Sequence, residues 1–205
     1  MKEKLAPIHF MQHNRIRIQE NLEIFLIDMF SLEDLDRDLI SLHGERTNDE
    51  PLENQIDHDN IHGWLESHVA GNEKRLAALA RKIMETSDVE SLTLAYAEYG
   101  RKVGESLKGD IQFTNGQELY GYLNALLLDG MPCDKISVLV ESDESHLIWH
   151  NVRDIHGSYY EEQGLEANLF YMLRQAFMKS FLKTIGNISF NLDMTPDVIV
   201  NKVSF

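Results

Sequence analysis

Three His-x-x-x-His pairs, His9/His13, His58/His62 and His146/His150, take up six of the nine histidines in this chain. Random placement at this histidine content gives about 0.4 such pairs. A four-residue step on a helix puts both imidazoles on one face, where they can share a metal ion or a proton. The sharpest case is His58, His62 and Glu66, which two such steps align on a helix starting near Asp57 or Asp59. Imidazole plus carboxylate suits a divalent metal such as zinc, iron or manganese. Gly63 would let a ligand approach closely. The pattern is neither the His-Glu-x-x-His of zinc peptidases nor the Glu-x-x-His of di-iron bundles. Its plain structural alternative is a polar solvent face opposite Ile61, Leu65 and His68.

His9, His13 and Glu20 form a second stripe on an earlier helix. Antiparallel packing of the two helices would bring five or six ligands together from both, with His68 able to complete the set. The alternative is a pair of surface histidines near the chain start. His146 and His150 belong to a strand, on one face with Ile148, while Leu147 and Trp149 take the other. They could line a pocket, or form the polar side of a half-exposed hairpin.

Cys133 and His156 offer different chemistry. A histidine within reach would generate the thiolate nucleophile of a cysteine-dependent hydrolase, with Asp134 or Asp154 orienting it. The local sequences match no cysteine-protease signature, and a lone cysteine is ordinarily a small buried hydrophobe.

The elements that must carry these groups follow from periodicity and capping signals. A first helix runs from Pro7 to Phe30 with two apolar stripes: Ile8, Met11, Ile18, Leu22, Phe25 and Met29, and a second through Ile16, Glu20, Ile24 and Ile27. Two such faces suggest wide burial or a homodimer. A second helix has Ser31 as N-cap and Gly44 as stop. The stretch 45–55 is polar and patternless, a surface loop. The next helix continues to about Glu85, with Gly71 as a weak point. Ser87 and Glu90 mark a capping box for another, and a further helix begins after Thr114 or Asn115. Beyond Met131 the pattern changes. Residues 135–141 and 146–152 form a hairpin, a helix runs from Leu165 to Ile185, with Tyr159–Glu162 at its entry, and 188–192 with 198–205 form a second hairpin.

The expected fold is therefore α+β. A helical region (1–130) precedes a ββαββ region (131–205), a four-stranded antiparallel sheet with a covering helix, the two sharing one core.

Composition excludes some classes. The net charge is −15, and residues 31–60 hold ten acids against Arg37 and Arg46. Such a balance repels phosphate backbones and anionic lipid, so nucleic-acid and membrane partners are not expected. One cysteine permits no internal disulfide, and no apolar run reaches membrane-spanning length. The chain reads as cytoplasmic. Three functions remain open: a metal-binding protein that acts on or senses a small molecule, a non-catalytic module that binds a small molecule or a partner, and the cysteine hydrolase.

Overall fold

Pro7 needs no hydrogen-bond partner for its nitrogen and opens the first helix, α1 (Pro7–Met29), in a computed structural model that describes residues 4–205. Residues 1–3, the start of the charged N-terminal stretch, lie outside the described residues. The buried face of α1 differs from both expected stripes. Gln12, Ile16, Glu20, Glu23 and Ile27 are buried beside Leu22 and Leu26, whereas Ile8, Ile24 and Met29 are exposed. Polar side chains occupy the centre of that face because they meet polar partners there.

Ser31 does not cap α2 (Glu33–His43). It sits at φ +54°, and Leu32 precedes the helix without a side-chain cap. Glu33, Asp34 and Asp36 in the first turn answer the helix dipole instead. Gly44, at φ +93°, ends the helix in a conformation that disfavours other residues. The stretch expected to be a loop contains a short helix, α3 (Leu52–Gln55), and is tied down by side chains. The helix α4 (Ile61–Thr86) passes Gly71 unbroken. Glycine is needed there for packing: a Cβ would come within 2.6 Å of the His43 carbonyl oxygen. Asp88, not Ser87, caps α5 (Val89–Leu107), accepting from the Ser91 amide at 2.8 Å. α6 (Gly116–Leu126) follows.

The remainder is β1 (Ser137–Ser142), β2 (His146–Asn151), α7 (Gly157–Glu162), α8 (Leu169–Gly186), β3 (Ser189–Met194) and β4 (Ile199–Ser204). Tyr159 to Glu162 thus belong to a separate short helix, α7, which Gly164 at φ +69° follows before α8 begins. The strands form one antiparallel sheet in the order β1-β2-β4-β3, built from two hairpins. This is the α+β arrangement expected. Among the described residues no helix is long and apolar enough to cross a membrane.

The chain forms two compact units, neither continuous in sequence. One comprises the chain up to Leu79 with Ala125–Lys135; the other is Ala80–Asn124 with Ile136–Phe205. The first has a core of Ile16, Leu52, Ile56, Ile61, Leu65, Val69, Leu128 and Met131, with Trp64 packed against it. Gln12 is anchored in this unit through Nε2, which donates to the Gly130 carbonyl at 2.9 Å.

In the second unit α5 lies against α8. Gly100 and Gly104, one turn apart, make that approach possible: a Cβ on Gly100 would enter the Phe177 carbonyl oxygen, and one on Gly104 would meet Thr184 Cβ at 2.8 Å. The sheet buries Leu147, Trp149, Phe190, Leu192, Ile199 and Val203. Trp149 stacks on Phe190, and β3 packs on α8. β1 is an edge strand whose register shifts between Leu139 and Glu141, and Val138 and Val140 on it are exposed.

Candidate functional site

His58 lies before the first residue of α4, with Nε2 2.8 Å from the Glu53 carbonyl oxygen. The four-residue helical step therefore joins only His62 and Glu66, an exposed pair 3.9 Å apart. His9 is taken up by the start of α1, where its Nδ1 accepts from the Ala6 amide at 3.0 Å. That bond leaves the proton of a neutral ring on Nε2. His13 and His68 do approach, from α1 and α4, on either hand of Trp64 in sequence. Their ring centroids are 6.3 and 4.0 Å from that of Trp64. Among the described residues no group of three or more His, Cys, Asp or Glu side chains is placed to hold a metal ion.

Beneath His68 lies a polar network with no obvious counterpart in the expected pattern. Arg75 on α4 donates from Nε to Glu23 Oε2 at 2.8 Å, from Nη2 to Glu20 Oε1 at 3.3 Å, and from Nη1 to the Gly44 carbonyl at 2.8 Å. Asn72 donates to Glu23 as well. Arg46 reaches in from the 44–51 segment, bonding Glu23 at 2.7 Å and Asp36 at 2.6 Å. Thr47 gives Glu20 its amide at 3.1 Å and also its hydroxyl. Removing these charges from water costs several kcal/mol per ion, on the order of 10 kcal/mol together, so dense mutual bonding is required.

The environment is reflected in the titrating groups. Burial raises the Glu20 carboxyl, with Thr47 and Arg75 pulling it back only in part. Burial also raises Glu23, against the pull of Arg75 and Arg46. Burial, then the charges of Arg75 and His13, bring His68 down to about 4. Burial and Arg17 lower His13. Both imidazoles are neutral at physiological pH. Sequence carried one trace of this network: Glu20 stood inside an apolar stripe.

In the second unit, His156 is 1% exposed, its ring stacked on Phe170 with centroids 3.8 Å apart. Asp154 grips backbone, accepting from the His156 and Gly157 amides at 2.9 Å and from the Tyr171 hydroxyl at 2.7 Å. Burial works to raise the Asp154 carboxyl, but these bonds outweigh it and hold it below the ordinary range. Cys133 belongs to the other unit, exposed in a 3-10 turn over Pro132–Asp134. His146 lies on β2 beside Ser145 Oγ at 2.6 Å, and His150 pairs in register with Val138 and Val200.

The second unit also contains a cleft of about 650 Å3, lined by residues 113–117 at the entry to α6, 142–144 at the β1–β2 turn, and Phe205. Phe113 and Phe205 meet there with ring centroids 6.3 Å apart. Gly116 lets the start of α6 pack closely here, since a Cβ would stand 2.7 Å from Ser142 Oγ, 3.4 Å from Leu147 Cβ and 3.5 Å from the Phe205 ring. The start of α6 is partly capped by its own side chains. Asn115 Oδ1 accepts from the Glu118 amide at 2.9 Å, and the Glu118 carboxylate accepts from the Thr114 amide at 2.7 Å. The Thr114 amide and hydroxyl hold the Glu118 carboxyl below its ordinary range. Asp143 is held low in the same way, by the amides of Ser145 and His146, each at 2.7 Å. Sequence gave no signal for this cleft, because three separated segments build it.

No protein-family model, no curated protein and no solved structure matches this chain.

Proposed function

We propose that this protein is a small-molecule-binding module whose ligand occupies the cleft between the entry to α6 and the β1–β2 turn. The observation that carries the reading is the cleft itself. Its volume of about 650 Å3 falls within the roughly 300–1,000 Å3 typical of ligand sites. Its lining combines two aromatic rings with hydroxyl, amide and carboxylate groups, which is what orients a small ligand on an apolar base. Ordered turns fix the walls: Asp143 closes the hairpin and Asn115 with Glu118 closes the helix start. A wall built this way loses little conformational entropy when a ligand arrives.

The reading needs neither a metal nor a nucleophile, and it gives the buried network of the first unit a structural task. That network ties the 44–51 segment to α1 and α4.

A ligand-observed NMR screen of polar and aromatic metabolite-sized compounds tests the proposal, with Gln117→Trp as control. Gln117 is an exposed lining residue, so an indole there fills the cleft without disturbing a core. Binders to the native protein that lose binding to Gln117→Trp support the reading. Binders that ignore the substitution place the ligand elsewhere and contradict it.

A further inference from the structure

We infer that the ligand of this cleft is a small organic cation, an amine or alkylated ammonium attached to a flat apolar group. This rests on the reading of the cleft as a ligand site. The cavity and its ring pair make the site; the charges around them decide which ligand it accepts.

None of the lining side chains is Lys, Arg or His. Asp143 and Glu144 contribute carboxylates from the turn, and Asp143 is held ionised by the amides and hydroxyl of its own turn. Glu118 lies in the first turn of α6 with its carboxylate turned back to Thr114. A helix N-terminus ordinarily draws anions to its free amides. Here that attraction is weakened, because the Glu118 amide is bonded to Asn115 and a carboxylate already stands at the helix start. An anionic ligand would therefore face the carboxylates of Asp143 and Glu144, with that of Glu118 behind Thr114, and no lining cation. His146 brings a titratable base to 3.8 Å from Asp143 across the turn.

The rings add a second preference of the same sign. An aromatic face is the negative end of a quadrupole and attracts a cation placed within about 6 Å of its centre. Phe113 and Phe205 meet at a tilt of 42°, so a flat group can lie on one ring while a cation reaches the face of the other or a carboxylate of the turn. Thr114 and Gln117 supply further oxygen acceptors for ammonium hydrogens.

Three isosteric probes separate the charge inference from the cleft reading: benzylamine, benzyl alcohol and benzoate, each titrated into the full chain and followed by amide chemical shifts. The expected result is shifts at residues 113–117 and 142–144, with benzylamine bound about tenfold more tightly than benzyl alcohol and benzoate weakest. Raising the salt from low to about 0.5 M should erase most of that preference. Glu144→Gln should weaken benzylamine about threefold or more and leave benzyl alcohol unchanged, while Phe205→Leu should weaken both. Equal binding of amine and alcohol in the cleft overturns the charge inference and leaves the cleft reading standing. Tightest binding by benzoate also overturns it. No shift in these residues with any probe at about 10 mM overturns both, since fragments of this size bind true ligand sites in the millimolar range.

Discussion

Arg75 and Glu23 are joined at 2.8 Å with neither side chain exposed to solvent. Glu23 accepts from three residues, Arg75, Arg46 and Asn72, on two further segments of the chain. The pair is thus the node that holds α1, α4 and the 44–51 segment of the first unit together.

Breaking the node from one side strands a buried charge. Arg75→Met should lower stability in urea denaturation by about 3–5 kcal/mol, and Glu23→Leu by a similar amount. The double variant should recover part of the loss, since Glu20 and Arg46 then keep only their bonds to Thr47 and Asp36. Simple addition of the two losses would show that Arg75 and Glu23 do not act as a pair.

Acid should weaken the fold through His68. Its folded-state value of about 4 lies below the ordinary 6.5, so the unfolded chain binds the proton more readily. Stability is therefore full above pH 6.5 and is lost as pH falls toward 4, by up to about 3 kcal/mol. Glu20 and Glu23 act in the opposite sense, because their raised carboxyls take up protons more readily in the fold. His68→Gln, measured by urea denaturation at pH 7, 5.5 and 4.5, should flatten the decline. An unchanged slope would assign the acid sensitivity to other groups.

The contact of α5 with α8 makes a substitution that usually helps a helix harmful here. Gly→Ala in an exposed helix gains about 0.5–1 kcal/mol. At Gly100 the added methyl meets the Phe177 carbonyl, and the loss should be about 1–3 kcal/mol. Gly121, exposed within α6 with nothing within 4 Å, is the matched control. Thermal unfolding of the two variants should move the melting temperature down at Gly100 only.

Ligand binding should survive chelation. Since the cleft is lined by no histidine, treatment with EDTA and the variant His58→Ala/His62→Ala should both leave probe affinity unchanged. Elemental analysis of the same untagged samples tests separately the proposal that His58, His62 and Glu66 take up a divalent metal. One metal per chain, absent in the variant, is the outcome that proposal requires.

Much of the architecture was legible because it is local. Pro7, Gly44 and the alternation of Leu147 and Trp149 fix where elements begin, stop and face. Caps were legible only to within a residue or two, since Asp88 and Ser87 are both able cap residues and packing chooses between them. Gly71 reads as a weak point in isolation, and only the neighbouring His43 carbonyl shows why it is there. The histidine spacing expressed a helical periodicity that His58, sitting before α4, does not share. The Arg75 network and the cleft were not legible, because each joins segments distant in sequence. Glu20 was the single hint, a charge placed where an apolar side chain was due.

The central claim is that a small molecule enters the cleft beside Gly116. Amide chemical-shift mapping during titration with the tightest binder from the metabolite screen tests it most directly. The account predicts saturable shifts centred on residues 113–117 and 142–144, absent in Gln117→Trp. Saturable shifts centred on the His13–Trp64–His68 group, with those cleft residues unmoved, would contradict it.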